Sequence, residues 1–269
     1  MAAPAEVDRV RAALLSATEI GPYFQTEMIA AQRQWRTVAD LWCDAGCLSE
    51  RVNTAREFLR SRTHADVELR ACASISSLGL ISRLLAPPLA TACVAEVIPR
   101  LDPQRTHWRP VVGGPVPIGL SMVDGVVVGS AAEAATELER TVLRPCVEPV
   151  LTAYSRQFRL SPRVLSGNAA SALAGAAGML LASPTALRID PVEVVTAMLG
   201  RPSLVGTGGY VRPFDDSAEQ FFVRRSCCLF YRIPGGGTCG DCVLVPAAAR
   251  LNIWRAASKT ADDTPDPGK

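Results

Sequence analysis

Arg224-Arg225-Ser226-Cys227-Cys228-Leu229-Phe230-Tyr231-Arg232-Ile233-Pro234-Gly235-Gly236-Gly237-Thr238-Cys239-Gly240-Asp241-Cys242 holds four of the chain's nine cysteines in a C-C-x10-C-x2-C spacing. Four thiolates converging from one short segment suit a tetrahedral metal or a small iron–sulfur cluster. Adjacent residues place their Cα atoms about 3.8 Å apart, below the roughly 4.4–6.8 Å that disulfides prefer, so a Cys227–Cys228 bridge is strained. In a regular strand the two thiols point to opposite faces, so a shared metal centre requires the backbone to bend there. Gly235-Gly236-Gly237 gives the return path its freedom, and Gly240 lets amide N–H groups turn towards sulfur, where they tune a cluster. Zinc knuckles also use C-x2-C, but usually with a second C-x2-4-C half-site rather than a vicinal pair. From the residues alone the segment reads as an iron–sulfur site, a structural zinc site or a thiol redox site, in that order.

Composition narrows the rest. The 269 residues are 48% hydrophobic and 20% charged, with a net charge of +2. This describes an ordinary globular interior and no nucleic-acid track. The opening Met1-Ala-Ala-Pro-Ala-Glu-Val-Asp does not read as a secretory signal. Two apolar stretches, 71–98 and 169–182, read as buried helices rather than membrane spans: Arg83 and Pro87-Pro88 interrupt the first, and the second is too short. A soluble, cytoplasmic protein is expected, in which an odd number of cysteines means thiols or metal ligands rather than a disulfide framework.

Along the chain, Val7, Val10, Leu14 and Leu15 predict a helix over 5–17. Met28, Ile29, Trp35, Val38, Leu41 and Trp42 repeat the pattern over 25–43, and Ser49 reads as the N-cap of a further helix carrying Val52, Ala55, Phe58 and Leu59. A long apolar helix is expected over 68–85, restarted by Pro87-Pro88 as a second one to 98. Runs at 108–114, 117–122 and 125–129 predict two or three strands with a hairpin around Asp124-Gly125. Helices return over 131–157, with a break or kink at Pro145 and Pro149. Ser161-Pro162 and Asp190-Pro191 are helix starts, and Gly200 ends the second of these helices. A Gly-rich loop is expected over 203–216, strand over 223–233, and a disordered tail from about 256.

The cysteine run resembles the C-terminal 2Fe–2S motif of the FhuF-like ferric-siderophore reductases. Two further stretches are similar to that family: Ala73-Ser-Ile-Ser-Ser-Leu-Gly-Leu-Ile-Ser-Arg-Leu-Leu-Ala-Pro-Pro-Leu-Ala and Arg163-Val-Leu-Ser-Gly-Asn-Ala-Ala-Ser-Ala-Leu-Ala-Gly-Ala. Ser166 stands where family members often carry Trp. The resemblance covers most of 65–245 and implies that Cys227, Cys228, Cys239 and Cys242 hold a 2Fe–2S cluster. With the elements read along the chain, the expectation is an α+β, predominantly helical fold: a siderophore-binding body (1–215) with a small antiparallel sheet, then a 2Fe–2S module (216–255) and the tail (256–269). The implied activity is one-electron reduction of siderophore-bound Fe(III) to Fe(II) for intracellular iron release. Its partners are a ferric siderophore and an external electron donor such as a ferredoxin or reductase. Arg224, Arg225 and Arg232 are candidate substrate or donor contacts whose charge favours the reduced cluster. The alternatives are a non-enzymatic 2Fe–2S electron carrier or redox sensor, and a structural four-cysteine zinc protein.

The remaining chemistry-bearing residues read as structural. Cys43 and Cys47 form a C-x3-C with no partner pair; Cys72, Cys93 and Cys146 lie in apolar helices, where thiols behave as small hydrophobes. His64 and His107, the only histidines, read as surface residues. Ser166-Gly-Asn168 lacks a nucleophile elbow, so Asn168 is expected to hydrogen-bond within a packed helix. No G-x-G-x-x-G or P-loop spacing is present, so neither NAD(P)H nor FAD binding is expected.

Overall fold

The computed structural model describes residues 2–30 and 34–262, with side chains described as far as residue 256. Helix α1 (Val7–Thr18) buries Val10, Ala13, Leu14 and Ala17, as its periodicity predicts. Residues 25–43 do not form the expected helix. They give β1 (Glu27–Met28), β2 (Arg36–Thr37) and the single turn α2 (Asp40–Cys43). A reciprocal cap sets that boundary: the Thr37 amide donates to Asp40 Oδ2 (2.8 Å) and the Asp40 amide to Thr37 Oγ1 (3.2 Å). Trp35, Val38 and Leu41 are buried while Met28 is exposed. The apparent helical period is therefore a coincidence of separate elements facing one core.

Helix α3 (Ala45–Thr63) starts four residues before the expected Ser49 cap, because Asp44 accepts the Gly46 N–H at 2.8 Å. Ser49 instead receives Gln157 Nε2. Helix α4 (Leu69–Ala95) runs through Pro87 and Pro88 as one 27-residue helix rather than restarting. The two prolines leave the Arg83 and Leu84 carbonyls without helical donors. Burial of residues 83 to 93 holds the backbone in register despite that loss. Arg83 is itself buried and donates to the carbonyls of Val116 (2.7 Å), Tyr23 and Gln25, tying two loops to α4.

The strands are β3 (Val97–Pro99), β4 (Thr106–Trp108), β5 (Ile118–Leu120) and β6 (Gly125–Val127). No hairpin forms at Asp124-Gly125: β6 pairs antiparallel with β3, whereas β5 pairs antiparallel with β4 and parallel with β1. β2 closes the four-stranded sheet against β4. Gly125 makes the β3–β6 approach possible, since a Cβ there falls 2.6 Å from the Ile98 carbonyl oxygen and 2.9 Å from Val10 Cγ2. Gly125→Ala is expected to destabilise the protein by about 1–3 kcal/mol through overpacking. A urea midpoint equal to that of the parent protein would contradict this account of the β3–β6 contact.

Helix α5 (Ala131–Leu138) passes into a π-helical segment (Glu139–Val147) and then α6 (Glu148–Phe158). Pro145 falls inside the π segment and Pro149 in the first turn of α6, so the expected break becomes a change of helix type. Helices α7 (Pro162–Ala182) and α8 (Pro191–Leu199) start where expected, capped by Ser161 and Asp190, and Gly200 caps the end of α8. The expected Gly-rich loop contains β7 (Gly208–Val211), which pairs antiparallel with β8 (Phe221–Arg224). This ribbon bridges the expected boundary at 215–216. The strand expected over 223–233 stops at Arg224, and a 3₁₀ turn occupies Phe230–Arg232. Helix α9 (Ala247–Asp262) extends into the expected tail, as its Ala-rich sequence has no Gly or Pro before Pro265; residues 263–269 lie outside the described residues.

The result is an α+β protein, 53% helical, in which the strands among the described residues form three small sheets rather than one. Helices α4 and α7 pack along each other at its centre. Both are long and apolar enough to cross a membrane by length and composition, yet 72% and 61% of those windows are buried inside the protein. They are its core helices. Cys47, Cys72, Cys93 and Cys146 are buried, with burial raising the Cys93 and Cys146 thiols to about 12, whereas Cys43 is exposed. His64 is exposed; His107 is half-buried and shares a hydrogen bond with Ser121 Oγ.

Candidate metal centre

The segment after β8 turns sharply at the vicinal cysteines. Leu229 adopts φ +68°, a left-handed conformation that non-glycine residues rarely take. This is the bend that two adjacent thiols need to serve one centre. The return path uses Gly235 (φ +73°) and Gly237 (φ +69°). Between them, a Cβ on Gly236 would fall 2.8 Å from the Phe230 carbonyl oxygen.

The thiols are brought together in this loop. Cys228 Sγ and Cys239 Sγ stand 3.6 Å apart. Two thiolates on one tetrahedral metal, with bonds of about 2.3 Å, stand about 3.8 Å apart. Sharing a proton with Cys239 favours the thiolate of Cys228, and the same contact, reinforced by burial, pushes the Cys239 thiol up. Cys227 lies close enough to Cys228 and Cys242 to feel both; burial is the main influence raising its thiol. Cys228 and Cys242 are buried and Cys227 and Cys239 half-buried.

Backbone amides converge on the sulfurs. Leu229 N–H donates to Cys227 Sγ (3.3 Å) and Leu244 N–H to Cys242 Sγ (3.4 Å), while Phe230 N–H lowers the Cys228 thiol. These are the residues two positions after each cysteine; Gly240, expected to help here, contributes none of these contacts. Among the described residues no three His, Cys, Asp or Glu side chains converge as the shell of a single ion. A close pair of thiols suits two ligands on one metal, and a two-iron cluster takes two protein ligands per iron.

A buried polar network fastens this loop to the core. Arg224, expected as a surface contact, is 1% exposed. Its Nη2 donates to Asn168 Oδ1 at 2.7 Å. Asn168 Nδ2 lies 3.0 Å from the Ser74 carbonyl, 3.2 Å from Ser74 Oγ and 3.1 Å from Ser77 Oγ. Ser74 Oγ then donates to the Cys228 carbonyl at 2.7 Å. Asn168 is thus hydrogen-bonded inside the packed helices, as expected, but it also reaches across to the cysteine segment. Gly167 makes room for the crossing, with Ser226 Oγ where its Cβ would lie. Ser171 Oγ adds a bond to Asp241 Oδ2 at 2.5 Å, between the last two cysteines.

Arg224 has no carboxylate in this network, and its Nε and Nη1 are buried without partners. Its positive charge favours the thiolate forms of Cys227 and Cys228. An uncompensated buried guanidinium beside four cysteines suits an anionic centre. The other two arginines stand at the surface. Arg232 is ion-paired with Glu68 (2.8 Å), joining the loop to the start of α4, and the Arg225 side chain is exposed. Sequence reasoning missed Ser74, Ser77, Ser171 and Asp241. The serines lie in the two stretches that resemble the family, but their partners are 70 to 154 positions away, and no local pattern encodes such pairing.

Residues 224–244 match the family model described as the FhuF 2Fe-2S C-terminal domain. Among curated proteins none matches the chain. The matched segment contains all four clustered cysteines together with Arg224, Arg225 and Arg232, and its cofactor is a 2Fe–2S cluster.

Proposed function

From a C-terminal segment that is a FhuF-type 2Fe–2S domain, we propose that this protein is a cytoplasmic ferric-siderophore reductase. Cys227, Cys228, Cys239 and Cys242 hold the cluster. When bound, it supplies a one-electron couple, which matches the reduction of siderophore-held Fe(III) to Fe(II). Fe(III) is a hard cation that oxygen ligands hold tightly; the softer, less charged Fe(II) is held far less well, so one electron releases the metal. An external one-electron donor of the ferredoxin or reductase class restores the reduced protein. Unpaired cysteines throughout the described chain accord with a reducing compartment.

The observation that carries this reading is the seating of the 2Fe–2S segment on α4 and α7 through Arg224, Asn168 and Ser74. A segment locked into a large helical body is built to act with that body, which favours a substrate-binding reductase over an autonomous carrier. Arg224 supplies fixed positive charge from below the cluster segment, and Arg225 supplies it at the surface.

Anaerobically purified protein is expected to be red-brown, with iron and acid-labile sulfide in equal amounts. After reduction it is mixed with ferric hydroxamate, catecholate and mycobactin-type siderophores in the presence of a ferrous chelator. Fast reoxidation with Fe(II) capture supports the reductase. Reoxidation no faster than with a cluster-free control leaves an electron carrier or sensor, and a colourless zinc-loaded protein removes both.

A further inference from the structure

The cysteine segment lies across the N-terminal turns of α4 and α7, and the charge exposed around it is one-sided. On α4, Arg70, Ser74 and Ser77 share one helix face by their i, i+4, i+7 spacing, and Ser74 bonds the Cys228 carbonyl. On α7, Arg163, Gly167 and Ser171 are spaced i, i+4, i+8; Gly167 faces Ser226, and Ser171 bonds Asp241. Each arginine is thus the outermost residue of the helix face that carries the cysteines. We propose that these two helix ends, together with Arg225, form the docking surface for an acidic one-electron carrier protein. The proposal rests on the reductase reading and adds to it the chemistry of the donor and the place where it lands.

Contacts join these charges into one band. Arg70 Nη2 donates to the Arg159 carbonyl (3.1 Å), four residues before Arg163, and Arg163 Nη2 to the Arg225 carbonyl (3.4 Å), two residues before Cys227. Arg70, Arg159, Arg163 and Arg225 are all exposed, and none has a carboxylate partner among the described residues. Over 66–77, 159–171 and 224–244 there are three acidic residues, and each is engaged: Asp66 with Arg56, Glu68 with Arg232, and Asp241 with Ser171. The same stretches hold six arginines, of which only Arg232 is ion-paired among the described residues, so the local balance is strongly positive although the chain as a whole carries only +2.

Arg70 and Arg163 also work against the helices that carry them. Each is the second residue of its helix, where the backbone N–H groups already present positive charge and an acidic residue stabilises. Neither α4 nor α7 has an acidic residue in its first turn. Cations kept against a local preference mark residues that serve something other than the fold. Arg70, Arg159 and Arg163 line neither the cavity between α2 and α6 nor the one between α6 and α7. A small chelate needs a concavity, whereas charges on open surface suit a globular partner. Tyr231 and Leu69, next in sequence to the paired Arg232 and Glu68, are exposed and offer the apolar contact around which such interfaces form. The step moves one electron from the reduced carrier to the oxidised protein, with no bond made or broken.

The test mixes oxidised holo-protein in a stopped flow with a reduced, acidic plant-type 2Fe–2S ferredoxin as the probe. Its second-order rate constant is expected to fall at least about tenfold from low to high salt. Arg163→Glu should lower the low-salt constant about tenfold and flatten its salt dependence. That variant should fold, because glutamate is favoured in the first turn of a helix. Arg9→Glu makes the same change in net charge beside Ala95, at the far end of the 27-residue α4. That end lies about 40 Å away, several Debye lengths, so the constant should change less than about twofold. Photoreduced deazaflavin, a small uncharged reductant, should reduce the parent protein and Arg163→Glu at one rate, and unchanged cluster absorption verifies an intact centre.

A salt-independent rate, a fall in Arg163→Glu no larger than in Arg9→Glu, or no reduction by ferredoxin where deazaflavin succeeds overturns the assignment. The reductase reading fails separately, if no ferric siderophore reoxidises the reduced protein, a step that the ferredoxin measurements do not include. The docking surface would then belong to an electron carrier.

Discussion

Cys239→Ser is expected to yield a folded but colourless protein that takes up no stable cluster on anaerobic reconstitution. Cys239 stands 3.6 Å from Cys228, the spacing of two thiolates on one metal. Serine places a hard and poorly ionised oxygen where iron–sulfur chemistry needs a soft thiolate. The fold should persist, because Arg224, Asn168 and the serines of α4 hold the loop independently of the Cys239 side chain. Iron and sulfide content should fall to background while the far-ultraviolet circular dichroism stays that of the parent. Cys43→Ser, at an exposed site away from the cluster segment, should retain full cluster content. A Cys239→Ser protein with normal iron and sulfide would remove Cys239 from the ligand set.

Asn168→Leu should cost about 3–5 kcal/mol of stability, read as a lower urea midpoint. Asn168 is fully buried and joins Arg224 to Ser74 and Ser77. Leucine fills a similar volume but removes the only hydrogen bond to the Arg224 guanidinium among the described residues, which already has two unpartnered nitrogens. Breaking one side of a buried charged contact costs more than replacing both sides together. Arg224→Met separates the two consequences. Removing the charge and its desolvation together should affect stability less, yet it should lower the reduction potential. At an effective dielectric of about 20, a nearby buried charge contributes up to a few kcal/mol, or tens of millivolts to about 100 mV for one electron. An unshifted potential in Arg224→Met would show that its charge does not act on the cluster.

The cysteine cluster was legible because its chemistry is written in sixteen consecutive residues. The starts of α7 and α8 were legible for the same reason, since Ser161-Pro162 and Asp190-Pro191 are local signals that local geometry obeys. Signals failed where distant partners decide. Pro87 and Pro88 stay helical because the surrounding core overrides a local preference. The strand at Gly125 turns away from its sequence neighbour to pair with β3, brought alongside by the end of α4. Arg224 reads as a surface cation among its neighbours, and only its reach to Asn168, 56 positions earlier, shows that it lies beneath the cluster segment. The Thr37–Asp40 cap was local and readable, but the apolar spacing around it pointed to a longer helix.

Counting electrons in a single turnover tests the central claim most directly. Reduced protein, free of excess reductant, is mixed anaerobically with ferric hydroxamate, catecholate and mycobactin-type siderophores in turn, each with a ferrous chelator. Cluster absorption and captured Fe(II) are then followed together. The account predicts that both change at one rate, with one Fe(II) captured for each cluster oxidised. Clusters that remain reduced in the presence of every ferric siderophore, or that oxidise without releasing Fe(II), would contradict it.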